Sequence, residues 1–257
     1  MRYLLKYLVT LLFTISLVAP LSAELESELR EIEMPDGTEI EVRVFPADGD
    51  RLLLGFACDA GSGLHEEETA KALSEDGVEV WMPDMLSGYM LPKLKSSVES
   101  IASEDVIVLL DKAVAESDKK IYLIASGPDT DLLLRGVALW EELHPDDNRL
   151  KGAILLFPRL NQGKPQPGMP PVYKESVGKT KLNLMLFEGG RTPNRWGVKH
   201  LTDSLSAGGS TVHSKVIPSV RGYFFKREDA NLPEETVTFQ LAGLIKAGLF
   251  YLREPEE

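Results

Sequence analysis

Ser126 is the side chain whose surroundings in this sequence best suit nucleophilic chemistry. It ends the apolar run Ile121–Ala125 and precedes Gly127-Pro128-Asp129. The stretch Lys120–Arg135 therefore reads as a buried strand, a tight turn and a helix opening at Asp129 or Thr130. A serine at such a turn either caps or stabilises it or, if a base draws off its proton, serves as a nucleophile. A base is hard to find among the 4 histidines. His65 follows the small-residue turn Asp59-Ala60-Gly61-Ser62-Gly63 and could reach a pocket. His144 sits at a helix end, where the helix dipole accounts for it. His200 falls within a helix and His213 within a strand. No histidine spacing suits a metal site, no cysteine cluster exists, and no pair of carboxylates declares itself as an acid/base couple. No cofactor is expected. Cys58, the single cysteine, closes an apolar strand and reads as a buried, inert thiol with no intrachain partner.

The elements that must position these residues alternate along the chain. Glu31–Val44 alternates apolar and charged residues around Pro35-Asp36-Gly37, the pattern of a β-hairpin with an Asp-Gly turn. Strands are expected at Arg51–Cys58, Val78–Met82, Ile121–Ala125, Lys151–Phe157, Leu182–Glu188 and Thr211–Pro218. Helices are expected at Glu66–Asp76, Val98–Ala115, Asp129–His144, Pro193–Ala207 and Pro233–Leu252, with Leu86–Lys95 as loop. Strand–helix alternation after an opening hairpin specifies an α/β fold with a mostly parallel sheet between helical layers. Asn161–Lys179, rich in proline and glycine, is the one long irregular connection, and such segments are often lids or binding loops.

Residues 1–23 have the build of a secretory signal peptide. Arg2 and Lys6 form the basic start, Tyr7–Val18 the short apolar run, and Ala19-Pro20-Leu21-Ser22-Ala23 the cleavage region. Residues 24–257 then form one domain, exported to a periplasm or the exterior. Leu21 is bulky for its place before a cut after Ala23, so a retained anchor is the alternative. The net charge is −12, which opposes binding to nucleic acid and to anionic membrane surfaces.

This order of hairpin, strands and helices, from about residue 31 to 252, resembles the α/β-hydrolase family, a three-layer sandwich. The resemblance implies that Cys58-Asp59-Ala60-Gly61 lies at the oxyanion loop, with Asp59, Gly61 and Ser62 at the pocket. It also implies a nucleophile elbow, G-x-S-x-G in active members, at Ala125-Ser126-Gly127-Pro128-Asp129. The nucleophile position then falls on Gly127, with Ser126 one residue early. The acid position falls in Gly189-Gly190-Arg191-Thr192-Pro193, which holds no carboxylate, although Glu188 stands close. The base position, in Pro218-Ser219-Val220-Arg221-Gly222, holds Arg221, which stays protonated. The expected protein is therefore a hydrolase-like binding or accessory protein with a vacated triad. Its ligand or protein partner is not specified; a small anion held by Arg191 and Arg221 is one candidate, under a cover formed by Asn161–Lys179. The alternative is an unorthodox serine esterase using Ser126, with His65 as the least implausible base. A third reading takes Gly61-Ser62-Gly63 as a fragment of a dinucleotide-binding turn; against it stands Glu66, where that pattern has glycine and an acidic residue would repel a pyrophosphate. Expression of the full chain in a secreting host is expected to yield protein beginning at Glu24. Intact mass checks this, and an unshortened, membrane-bound product would establish the retained anchor instead.

Overall fold

The computed structural model describes residues 27–56, 64–166 and 168–253. Alternating residues pair as β1 (Glu28–Glu33) and β2 (Glu39–Phe45), an antiparallel hairpin whose turn places Gly37 at φ +83°. A left-handed φ costs glycine nothing, which is why the Asp-Gly signal marks the turn. β3 (Arg51–Phe56), β4 (Val78–Pro83), β5 (Lys120–Ser126), β6 (Leu150–Leu156), β7 (Leu184–Gly189) and β8 (Val212–Ile217) complete one sheet in the order β1-β2-β4-β3-β5-β6-β7-β8. All pairings beyond the hairpin are parallel except β2 with β4.

Strand residues alternate between two buried layers, so both faces of the central strands are apolar. Leu52, Leu123, Leu155 and Leu186 pack under α4 (Ser103–Glu116), α5 (Asp129–Leu143) and α6 (Val198–Ser206). Leu53, Tyr122, Ile154 and Phe187 pack under α1 (Leu64–Glu75) and α8 (Leu241–Tyr251). The same alternation sends Ser126 to the α1/α8 face and Glu188 to the α5/α6 face. Ala70 and Leu73 of α1 are buried as their spacing foretells, and Gly77 beyond the helix takes φ +83°.

Four helical expectations need correction. Leu86–Lys95 is not all loop: α2 (Met85–Gly88) is capped by Asp84, whose carboxylate accepts from Ser87 N–H at 2.9 Å, and α3 (Lys95–Ser100) follows. The helix expected over Val98–Ala115 is broken after Ser100, because Ile101 and Ala102 are extended. The Ser100 hydroxyl donates back to Ser97 O, and Glu104 and Asp105 favour a fresh N-terminus. The helix expected from Pro193 starts as a 3-10 turn, Pro193–Gly197, before α6. The final helix is two, α7 (Leu232–Phe239) and α8, parted at Gln240.

α4 and α5 approach closely because Gly136 has no side chain. A Cβ there would lie 2.4 Å from Val106 Cβ. Gly136→Ala should therefore destabilise by about 1–3 kcal/mol through overpacking, although alanine is the better helix former by about 1 kcal/mol. A urea midpoint measures the sign, and a rise would mean that the two helices part freely.

Candidate functional site

At the end of β5, Gly127 takes φ +57° and turns the chain into α5. Its N–H donates to Leu156 O at 2.9 Å and its carbonyl accepts from Arg159 N–H at 3.0 Å and the Thr130 hydroxyl at 2.5 Å. This is the strand–turn–helix that the sequence foretold, with glycine at the apex. A Cβ on Gly127 would lie only 1.4 Å from the Tyr223 hydroxyl oxygen. Tyr223 thus fills the space that any side chain at position 127 would enter. It comes from the segment after β8, itself at φ +57°, and its ring lies beneath the Arg159 guanidinium at 4.7 Å and 6.0 Å from Phe157.

Arg221 stands where a base was sought, and it is fully committed elsewhere. Its backbone N–H and Nε donate to Glu234 Oε1 at 2.8 and 2.7 Å. Nη2 donates to Glu234 Oε2 at 2.5 Å and Asp229 O at 2.8 Å, while Nη1 donates to Asp229 Oδ2 at 2.8 Å. Glu234 is completely buried and also accepts from Asn231 N–H at 3.0 Å in a reciprocal capping box at the start of α7. Each of the three guanidinium nitrogens of Arg221 bonds Glu234 or Asp229, and these bonds fold the loop after β8. Arg191 is exposed, and only its backbone N–H is tied, to Val220 O at 2.9 Å.

The polar group at the end of β7 is Glu188, 2% exposed. Its Oε1 accepts from Gly189 N–H at 2.8 Å and from the Thr192 hydroxyl at 3.0 Å. Burial pushes its carboxyl above the usual range, against the pull of those donors and of Asn194.

Ser126 is buried, and it lines an apolar cavity of ≈ 80 Å³ with Gly55, Phe56, Thr69, Met82 and Phe225, on the α1/α8 side. His65 lies in the neighbouring cleft between α1 and residues 224–242, its exposed imidazole Nδ1 3.4 Å from Glu68. The structure does not bring Ser126 and His65 into one cleft. His144 contacts Asp111 at 3.2 Å and stacks on Trp140, His200 lies 5.5 Å from Tyr173, and His213 lies 5.6 Å from Tyr251. Cys58, Asp59, Gly61 and Ser62 lie outside the described residues. Among the described residues no group of three or more His, Cys, Asp or Glu could hold a metal ion, and no helix is long and apolar enough to cross a membrane.

The Asn161–Lys179 segment is irregular as expected, but it covers a different place. Asn161, Pro165, Pro171 and Tyr173 roof a cavity of ≈ 400 Å³ above Glu188, on the other face of the sheet from the Ser126 cleft. Its far end is pinned to α3 and α5: Lys174 Nζ donates to Glu99 of α3 and to Asp131 of α5 at 2.8 Å each, and the Ser176 hydroxyl donates to Asp131 at 2.7 Å. Sequence reasoning missed Tyr223 and Arg159; an aromatic residue just beyond the expected base position was the available signal for the first.

No protein-family model matches the sequence, and no curated protein matches it. Solved structures do. A hyperthermophilic esterase of the archaeon Pyrobaculum calidifontis is 15% identical, covers 95% of this chain and 89% of its own, and superposes with a TM-score of 0.63. A dienelactone hydrolase of Anabaena variabilis is 13% identical, with coverage of 90% and 100% and a TM-score of 0.59. An esterase of Thermogutta terrifontis is 14% identical, with coverage of 90% and 95% and a TM-score of 0.58. With the strand order and the opening hairpin, these likenesses establish the α/β-hydrolase fold for this chain. At such identities they speak for the fold alone.

The Arg221–Glu234 pair carries a pH signature. Arg221 holds the Glu234 carboxyl down, to about 2, from its ordinary value of 4.5. A folded pKa below the unfolded one adds stability above pH 4.5 that drains away as pH falls toward 2. Glu234→Gln should be less stable than the parent at pH 7 and should lose less stability than the parent on acidification across that window. Denaturation midpoints at a series of pH values measure this.

Proposed function

We propose that this chain is an exported binding or accessory protein on an α/β-hydrolase scaffold, without triad chemistry. One observation carries the reading: the Tyr223 hydroxyl lies 1.4 Å from where a Cβ on Gly127 would be. The nucleophile position thus has neither a side chain nor room for one. The commitment of Arg221 to Glu234 and Asp229 supports the same reading from the base position. The apolar cleft beside Ser126 suits a short acyl or alkyl group, being smaller than the roughly 300 Å³ at which ligand pockets usually begin. Export rests on the leader at residues 1–23.

A second reading, a serine esterase using Ser126, has its own support. Ser126 stands at the rim of the sheet beside an apolar cleft, and the similar structures bear the names of esterases and dienelactone hydrolases. One of them is Thermogutta terrifontis esterase 2 phosphorylated by paraoxon.

Purified protein is treated with a fluorophosphonate probe beside Ser126→Ala, and both are assayed on short-chain p-nitrophenyl esters. The binding reading expects no labelling, and ester turnover that is the same in both proteins. Labelling and turnover that vanish together in Ser126→Ala would overturn it in favour of the esterase.

A further inference from the structure

The cavity of ≈ 400 Å³ beneath the Asn161–Tyr173 strap has a buried acid at its floor, with no counterion among the described residues. Glu188 is 2% exposed, and its protein partners are neutral donors: Gly189 N–H, the Thr192 hydroxyl and the Asn194 side chain. Among the described residues no lysine, arginine or histidine nitrogen comes within salt-bridge reach of it; the charge of Arg159 acts on it from farther away. A carboxylate taken out of water without a cation is costly. Neutral hydrogen bonds recover part of that cost, and a proton or a cation must supply the rest.

The walls suit a cation with an apolar body. Tyr173 and Trp196 line the cleft with Pro158, Pro171 and Pro193, and aromatic faces attract ammonium groups. Trp196 is 78% exposed, so it has surface to lose when a ligand enters. Arg195 stacks on Trp196 at 4.3 Å and donates to Gly190 O, but it does not line the cleft. The roof is held in place before any ligand arrives. The bridge between Asn161 and Tyr173 closes its base, and Asp131 ties down Lys174 and Ser176. A net charge of −12 draws cations toward the whole surface.

We propose that this cleft binds a small organic ammonium ion, with its charge against Glu188 and its apolar body against Tyr173 and Trp196. The site lies on the opposite face of the sheet from Ser126, and it stands whether or not Ser126 reacts.

The probes are benzylamine and phenethylamine, charged at neutral pH, beside benzyl alcohol as the neutral counterpart. Binding is read on the full chain by tryptophan fluorescence, since Trp196 is exposed while Trp81 and Trp140 are buried, and by calorimetry. Saturable binding of the amines, at least tenfold tighter than of benzyl alcohol, is expected. Glu188→Gln keeps the shape and removes the charge, and should abolish that preference. Trp196→Ala, at an exposed position that does not threaten folding, should weaken amine binding several-fold and remove the fluorescence response. Equal affinity for amine and alcohol overturns the proposal, as does the absence of saturable amine binding at millimolar concentrations or an unchanged preference in a folded Glu188→Gln. If Glu188→Gln does not fold, the amine–alcohol comparison on the parent and the Trp196→Ala titration decide the question.

Discussion

A strand sends successive side chains to opposite faces, and in this sheet both faces are buried. That period of two governs what the rim can bring together. Ser126 ends β5 on the face packed by α1 and α8, and Glu188 ends β7 on the face packed by α5 and α6. The two polar groups nearest to a reactive serine and a catalytic acid therefore open into separate clefts. A one-residue slip in either strand would change this, but the registers of β5 and β7 with their common neighbour β6 tie them to fixed rows.

Around that constraint the loops have taken on other work. In the loop after β8, Arg221 and Glu234 form a closed knot with Asp229 and the N-terminus of α7. The knot organises the turn that carries Tyr223 under Arg159 and against Gly127. The strap over β6 and β7 is anchored through a buried acid of α5, Asp131, so the first turns of α5 serve the roof of one cleft while Gly127 before them abuts the tyrosine.

Much of this was legible in the sequence, because the signals are local. The Asp-Gly hairpin, the apolar runs of β3, β5 and β7 and the glycine at the elbow each follow from a few adjacent residues. The α/β class follows from those in turn. Local signals also misled. Val98–Ala115 has a continuous helical period, yet Ile101 and Ala102 are extended, because a side chain–backbone bond at Ser100 and the acids at Glu104 and Asp105 outweigh periodicity. The sequence could not name the partners of Arg221, because Asp229 and Glu234 are brought to it by the folding of the segment between β8 and α7. Tyr223 was open to notice as an aromatic residue just beyond the expected base position, but its role depends on a contact with a glycine far away in the chain. Glu188 was noticed as an acid near the right place, but its face, and hence its cleft, followed only from the register of β7.

The interlock of Gly127 with Tyr223 also couples two positions far apart in the chain. They share one volume, so neither can be enlarged by itself. Any side chain at position 127 requires a smaller residue at position 223, and a pair of changes there must be read as one unit whose combined effect differs from the sum of its parts.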